Sequence, residues 1–175
     1  MHKKFLKLYY FIDEFKKGII DKQSINTSII YRNYKKKYKT TEIIYIRDYC
    51  RRKNIKFFLS NNIKLSLSLN LDGAYLPSFN ESFTHLNYNF KENFKLIGSA
   101  HSLREIRIKE KQNVKEIFLS SLFKNNANFL GLNKFNLLSK NSYRDIIALG
   151  GVSKKNIKLI NLTKSVGFAG ISYFK

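Results

Sequence analysis

The chain is poor in cysteine and proline, and both shortages narrow the class of protein. Cys50 is the single cysteine among 175 residues, so the chain has neither an internal disulfide nor a metal site built from cysteines alone. A lone cysteine is typical of reduced compartments, and we therefore expect a cytoplasmic protein. Pro77 is the single proline and no Pro/Gly/Ser-rich linker interrupts the sequence, which predicts one domain over residues 1–175.

Long apolar runs are missing as well. No uncharged apolar segment approaches the ~18 residues that a membrane-spanning helix needs. In the opening segment MHKKFLKLYYFIDEF, Lys7 interrupts the apolar run and acidic residues follow it, a pattern that argues against a signal peptide. The hydrophobic share of 43% is that of a chain with a buried core, which excludes global disorder.

Acidic residues are scarce, because 12 Asp and Glu face 33 Lys and Arg and the formal net charge is +21. Such a charge attracts anions, of which nucleic acid is the first to consider. However, only 7 of the basic residues are Arg, the side chain on which readers of base edges chiefly rely. The many Lys, Asn and Ile residues are typical of an A/T-rich coding sequence. We therefore expect a phosphorylated small molecule as partner rather than nucleic acid.

Eight short apolar segments alternate with stretches of helical period. The predicted strands are Leu8–Ile12, Ser28–Tyr31, Lys56–Leu59, Ala74–Leu76, Phe94–Ala100, Glu116–Ser120, Asp145–Leu149 and Val166–Ser172. The clearest predicted helices are Thr41–Arg52, Ser102–Lys111 with Ser102 and Glu105 as a capping box, and Lys154–Leu162 with Ser153 as N-cap. A loop of about twenty residues is predicted after the sixth strand.

This alternation predicts parallel strands joined by right-handed crossovers. Eight such units favour an α/β fold of the (β/α)8 TIM-barrel type, and a doubly wound open sheet is the alternative. The sequence stops shortly after the eighth strand, so we expect a trimmed barrel without its last helix. A second copy of the chain would then cover the open edge, which predicts a homo-oligomer.

Two glycines follow the seventh predicted strand and precede a predicted helix. Gly150 and Gly151 would expose backbone N–H groups at this point, an arrangement that binds phosphate. Phosphate sites in barrels often follow strands seven and eight, and the segment Gly167–Ser172 would form the second half of the site. The alternative is a tight turn without a ligand.

Three further segments lie at predicted strand ends. His101, in the segment Ser99–Ser102, could act as a general acid or base, or it could simply help to cap the following helix. Arg32 ends the second strand and is a candidate anion ligand. The pair Asp72-Gly73 is interpreted as a structural turn.

In this order, Arg32 and the segments DGAYL, SAHSLRE, FLSSLF, ALGGV and GFAGIS resemble the thiamine phosphate synthase family, including its thiazole tautomerase branch. The resemblance runs from Leu8 to Tyr173. It implies a (β/α)8 barrel that joins a hydroxymethylpyrimidine diphosphate to a thiazole phosphate with Mg²⁺ and releases pyrophosphate. In the tautomerase branch it implies acid–base chemistry on a thiazole phosphate.

The resemblance also implies roles for particular residues. Arg32, with Lys35 near the place of the family's lysine, would bind the diphosphate, and Ser99 would face the pyrimidine. His101 matches the proposed acid–base residue of the tautomerase branch. The residues that would hold the thiazole phosphate through backbone groups are Gly150, Gly151, Ile171 and Ser172.

The sequence departs from the family pattern in two places. Asn61 and Asn80 stand where the family's carboxylates hold Mg²⁺, so amide oxygens without charge would have to hold the ion. The segment Asn125–Asn128 replaces the family's phosphate-binding T-x-x-K loop. The resemblance still favours a diverged thiamine phosphate synthase, and three alternatives stay open: a tautomerase-like enzyme that uses His101, a non-catalytic binder, and a nucleic-acid binder.

Overall fold

Eight parallel strands form a closed barrel in the computed structural model, which describes residues 7–35 and 37–174. Each strand pairs with its neighbours in chain order, and β8 pairs with β1. The strands are β1 (Lys7–Ile12), β2 (Thr27–Tyr31), β3 (Phe57–Ser60), β4 (Gly73–Leu76), β5 (Lys95–Ala100), β6 (Glu116–Leu119), β7 (Asp145–Ala148) and β8 (Gly167–Gly170). The predicted barrel is confirmed, and the open sheet is wrong.

The connections between the strands are short. The helices are α1 (Lys17–Asp21), α2 (Thr40–Arg52), α3 (Ile63–Ser68), α4 (Leu103–Lys111) and α5 (Gly131–Lys140), and short 3-10 helices cover Thr84–Asn87 after β4 and Ile157–Leu162 after β7. No helix in the described part of the chain is long and apolar enough to cross a membrane. Residues 171–174 form a turn after β8, and the ring of Phe174 stacks on Tyr10 of β1 with centroids 5.1 Å apart.

Two of the local predictions were wrong. Helix α5 occupies half of the region predicted as a long loop after β6. After β7 the predicted α-helix is only a 3-10 helix, and Ser153 does not cap it. The cause is Asn156, whose Oδ1 accepts from the Ser153 amide at 2.9 Å and whose Nδ2 donates to the Gly151 carbonyl at 2.8 Å. Such local bonds between side chain and backbone compete with helix formation.

The predicted cap of α4 is confirmed, with one difference. Ser102 Oγ accepts from the Glu105 amide at 3.3 Å, as a capping box requires. Glu105 Oε2, however, accepts from the amide of His101 at 2.6 Å rather than from that of Ser102. The acidic residue of the cap therefore anchors the backbone of His101 at the end of β5.

Aromatic rings fill the interior of the barrel. Five inward-facing side chains from four strands meet edge to face, with centroids 4.8 to 6.1 Å apart. They are Tyr9, Phe11, Phe58, Tyr75 and Phe118. Pairs of this geometry contribute beyond the area that they bury. The packed rings leave space for ligands only at the ends of the barrel.

A buried carboxylate closes the N-terminal end of the barrel. Glu116 accepts hydrogen bonds from Tyr9, Lys7 and Lys95, and the Lys7 Nζ–Oε1 distance is 2.8 Å. Burial alone would raise the pKa of the Glu116 carboxyl, but the bonds from both ammonium groups outweigh it and hold the pKa below its usual value. The carboxylate thus links β1, β5 and β6.

We expect Glu116→Gln to lower the free energy of unfolding by about 1–3 kcal/mol at neutral pH, because Lys7 and Lys95 lose a charged acceptor but keep access to water. A depressed carboxyl pKa stabilises the fold above the pKa of the unfolded chain and loses this contribution as the pH falls through the folded value. The difference between the two proteins should therefore shrink below about pH 4.5.

Urea unfolding followed by circular dichroism at pH 7 and pH 3.5 measures this difference. Asp145→Asn is the matched control, because Asp145 also contacts Lys7 (2.6 Å) but its side chain is half exposed. The control should lose less than about 1 kcal/mol. Equal losses in both variants, or a loss in Glu116→Gln that does not change with pH, would contradict the prediction.

Candidate functional site

The carboxyl ends of the strands form an open mouth with two adjoining cavities. The first, which we call the lysine cavity, has a volume of about 280 Å³ and lies between the ends of β1, β2 and β8, with Lys35 and Ile171 in its wall. The second, the histidine cavity, has about 160 Å³ and is lined by Ser99, His101 and Ser120. Arg32 lines both cavities, so it connects them.

His101 follows β5 and is half-buried in the wall of the histidine cavity. Its Nδ1 lies 2.9 Å from the carbonyl oxygen of Ser120 and 3.0 Å from Ser120 Oγ. Because a carbonyl oxygen can only accept, Nδ1 carries the proton, and in the neutral ring Nε2 keeps its lone pair. Nε2 has no hydrogen-bond partner within residues 7–35 and 37–174. The ring is thus oriented by one nitrogen while the other is free for a ligand.

Tyr75 of β4 forms the floor of the histidine cavity. It is buried, and it lines the cavity together with Ser99 and Arg32. Burial raises the pKa of Tyr75 to about 12, so the hydroxyl stays protonated at neutral pH. The guanidinium of Arg32 also lies over the ring of Phe11, 4.6 Å from its centroid. Arg32, Ser99 and Tyr75 thus all line the histidine cavity.

Two exposed aromatic rings face each other across the mouth. Tyr34, after β2, and Phe79, after β4, make an edge-to-face contact with centroids 5.6 Å apart. Tyr34 is held by a hydrogen bond of 2.8 Å between its hydroxyl and Ser60 Oγ. Both rings line the histidine cavity, so together they limit its opening.

The Gly150-Gly151 turn lies directly after β7, and both residues have a positive φ, of 97° and 77°. A Cβ on Gly150 would lie 2.5 Å from Ser121 Oγ, and one on Gly151 would lie 2.6 Å from the amide nitrogen of Lys124. Only glycine therefore fits either position. The carbonyl of Gly150 accepts from the Phe123 amide at 2.8 Å, whereas the amides of Gly150 and Gly151 have no partner among the described residues.

The loop after β6 brings a lysine to this turn. Lys124 is exposed, and its amide donates to the Gly150 carbonyl at 3.2 Å. The sequence analysis found the family's T-x-x-K loop replaced by Asn125–Asn128, and it missed Lys124, which directly precedes that segment. The chain therefore has a lysine, Lys124, next to the glycine turn, although the lysine of the family's T-x-x-K loop is absent.

The end of β8 adjoins the same turn. A Cβ on Gly170 would lie 3.7 Å from the carbonyl oxygen of Val152, which follows the two glycines. Ile171 and Ser172 come next and are exposed, and Ile171 lines the lysine cavity. The four residues that the resemblance assigns to the thiazole phosphate thus lie on neighbouring strand ends.

Asn61 and Asn80 also lie together, but their oxygens do not fit a protein-held Mg²⁺. Asn61 Oδ1 accepts from Asn80 Nδ2 at 2.6 Å, and Asn80 Oδ1 accepts from the Ser82 amide at 3.0 Å. Both oxygens are neutral and already engaged, whereas Mg²⁺ in proteins is bound through carboxylates. In the part of the chain that the structure describes, no group of three or more His, Cys, Asp or Glu could hold a metal ion.

Fold and mouth together define a barrel protein with a polar site at the carboxyl ends of its strands. Comparisons with known proteins agree: the family model described as "Thiamine monophosphate synthase" matches residues 20–174. The chain belongs to the thiamine monophosphate synthase family. A solved structure, the thiamine phosphate pyrophosphorylase from Pyrococcus furiosus, shares the fold with a TM-score of 0.74 at 20% identity, over 95% of this chain and 85% of that one.

Two curated relatives are similar in sequence over part of their length. "Putative thiamine-phosphate synthase 2" from Aquifex aeolicus is 32% identical over 123 residues, which are 66% of this chain and 64% of that protein. "Thiamine-phosphate synthase" from Methanococcus vannielii is 26% identical over 121 residues, 66% of this chain and 58% of that protein. The chain therefore matches less than two thirds of the length of either relative.

The close packing of the glycine turn generates a stability prediction. We expect Gly151→Ala to lower the free energy of unfolding by about 1–3 kcal/mol, because the positive φ is strained for alanine and the added Cβ meets the Lys124 backbone. Gly18→Ala is the matched control, since Gly18 lies in α1 with nothing within 4 Å of its Cβ position. Thermal unfolding should show a lower Tm for Gly151→Ala and an unchanged or raised Tm for Gly18→Ala. Equal Tm values for wild type and Gly151→Ala would contradict the packing argument.

Proposed function

We propose that the protein binds a thiazole phosphate at the mouth of the barrel and moves a proton between two positions of its ring, with His101 as the acid–base residue. The observation that carries this proposal is the bond between His101 Nδ1 and the Ser120 carbonyl, which leaves Nε2 with a lone pair and without a partner among the described residues. A base oriented in this way can take a proton from one ring atom and return it to another. Substrate and product differ only in the position of that proton and of a double bond.

The phosphate of the substrate would bind at the glycine turn. The amides of Gly150 and Gly151 are the backbone donors there, and Lys124 adds a positive charge beside them. Consecutive backbone N–H groups around residues of positive φ form anion-binding concavities. The helix dipole adds little to this site, because only a short 3-10 helix follows the turn.

The synthase reaction is the second candidate. The lysine cavity favours it, because Arg32 and Lys35 line a space of about 280 Å³ beside the histidine cavity, where a diphosphate could bind. The similarity to the two thiamine-phosphate synthases described above also favours it. The engaged amides of Asn61 and Asn80 oppose it, because the diphosphate would lack a metal held by the protein. Proton transfer on a monophosphate needs no such metal.

Removal of the imidazole tests the proposed function. We expect His101→Asn to lower kcat for interconversion of the thiazole phosphate tautomers by about 100-fold or more, because an amide cannot exchange a proton at neutral pH. The Kd for the thiazole phosphate should change by less than about threefold, since its phosphate contacts are elsewhere. Ultraviolet absorbance of the ring and calorimetry measure the two quantities.

The control for this experiment is Ser120→Ala, which keeps the backbone carbonyl that orients His101 and should lower kcat by less than about tenfold. Thiamine phosphate formation from the pyrimidine diphosphate and the thiazole phosphate is assayed in parallel, with and without Mg²⁺. Formation of thiamine phosphate without tautomerisation would contradict our proposal and support the synthase reaction. Binding of the thiazole phosphate without either reaction would contradict the proposal and indicate a non-catalytic binder.

The role of Lys124 can be tested by binding alone. We expect Lys124→Met to raise the Kd for the thiazole phosphate about tenfold, because a charged contact to the phosphate is lost. Lys140→Met is the matched control, since Lys140 is exposed in the last turn of α5, which leads to the N-terminal end of β7. An equal Kd for Lys124→Met and wild type would exclude Lys124 from the phosphate site.

A further inference from the structure

The contact between Asn61 and Asn80 joins two loops at the mouth, one after β3 and one after β4. Its hydrogen bond, from Asn80 Nδ2 to Asn61 Oδ1, is 2.6 Å long. Two carboxylates at these positions would repel each other unless a cation lay between them. Two neutral amides can instead bond directly, with one as donor and the other as acceptor. The pair can therefore connect the loops without an ion.

The pair is also held in place from both sides. Asn61 has a φ of 58°, a conformation that asparagine tolerates, and its amide donates to the Tyr75 carbonyl at 2.8 Å. This bond fixes Asn61 relative to β4. The side chain of Asn80 is fixed in turn, because its oxygen accepts from the Ser82 amide.

Two buried side chains, Lys109 of α4 and Gln112 directly after it, brace the loop that carries Asn80. Lys109 Nζ donates to the Asn80 carbonyl at 2.6 Å and to Gln112 Oε1 at 2.9 Å. Gln112 Nε2 donates to the same Asn80 carbonyl at 2.9 Å and to the Ser82 carbonyl at 2.8 Å. Both side chains are fully buried. Removing the Lys109 ammonium group from water costs free energy, and its hydrogen bonds to the loop compensate for that cost.

We infer that the Asn61–Asn80 pair, braced by Lys109 and Gln112, replaces a divalent cation as the element that fixes the mouth between β3 and β4. Anions then bind at this mouth through the protein's own cations, of which Arg32 and Lys35 line the lysine cavity. The inference concerns the same mouth as the proposed function. It rests on the contacts described above and does not require that the protein catalyses the proposed reaction.

The first test is metal binding by the wild-type protein, with Mn²⁺ as the probe for Mg²⁺. Electron paramagnetic resonance of free Mn²⁺ should show no stoichiometric binding at micromolar to submillimolar concentrations of the ion. The double variant Asn61→Asp/Asn80→Asp should bind one Mn²⁺ at least roughly tenfold more tightly than the wild type, because two charged oxygens replace two neutral ones. One tightly bound Mn²⁺ in the wild type that is lost in Asn80→Ala would overturn the inference.

The matched control is Asn141→Asp/Asn161→Asp, which changes the net charge equally. Both of these asparagines are exposed: Asn141 follows α5, and Asn161 lies in the last turn of the 3-10 helix that precedes β8. This control should bind Mn²⁺ no better than the wild type. Equal gains in both double variants would mean that charge alone attracts the ion, and would overturn the assignment of the site to Asn61 and Asn80.

Inorganic pyrophosphate tests the second half of the inference. Calorimetric titration should show binding to the wild-type protein in the presence of EDTA, since protein cations supply the charge. Binding that requires added Mg²⁺, or no binding in either condition, would contradict metal-free anion binding. The Mn²⁺ and pyrophosphate measurements do not depend on His101. They can therefore be interpreted even if the proposed proton transfer is not observed. Conversely, a negative result in them does not contradict the proton transfer.

The brace is tested by hydrogen exchange. Lys109→Met keeps the length of the side chain but removes its donor, so the amides of residues 78–82 should exchange about tenfold faster, while those of β6 stay unchanged. If Lys109→Met folds and this loop exchanges at the wild-type rate, Lys109 does not brace the loop. Gln112→Leu is the second variant, and it should increase exchange in the same loop.

Discussion

The packing of aromatic rings inside the barrel determines where this protein can bind anything. Tyr9, Phe11, Phe58 and Phe118 fill the middle of the interior, and Tyr75 lies above them at the floor of the mouth. Side chains of this size leave no passage through the barrel. Among the described residues, the polar side chains that line the two cavities therefore come from the last two residues of a strand or from the loop after it.

The few carboxylates are mostly engaged in structural contacts, and this shapes the charge of the mouth. Glu116 binds two lysines at the N-terminal end, Asp72 accepts from the Phe57 amide, and Glu105 accepts from the His101 amide. Arg32, Lys35 and Lys124 at the opposite end have no carboxylate partner among the described ion pairs. Asp13 lines the lysine cavity beside Arg32 and Lys35, and the net charge of +21 on the chain as a whole attracts anions.

The sequence predicted the strands well, because each one is a short apolar run bounded by polar or glycine residues. It failed where side chains act locally against the pattern. Asn156 bonds to the backbone and shortens the helix after β7, and α5 begins at Gly131 after a Leu130 that offers no capping side chain. Of the site, the sequence predicted Arg32, Ser99 and His101. It missed Tyr75, because Asp72-Gly73 was interpreted only as a turn, and nothing in the spacing shows that the tyrosine ring points inward.

The two sides of the mouth differ in how closely they follow the family pattern. On the side of β5, β7 and β8, His101 bonds to the Ser120 carbonyl, and the amides of Gly150 and Gly151 have no partner among the described residues. On the side of β3 and β4, Asn61 and Asn80 stand where the resemblance implies charged ligands; Asn61 Oδ1 accepts from Asn80 Nδ2, and Asn80 Oδ1 accepts from the Ser82 amide. Acid–base chemistry on a monophosphate needs only the side of β5, β7 and β8, whereas a reaction of a metal-bound diphosphate needs both sides. The geometry therefore favours the chemistry that the first side can carry out alone.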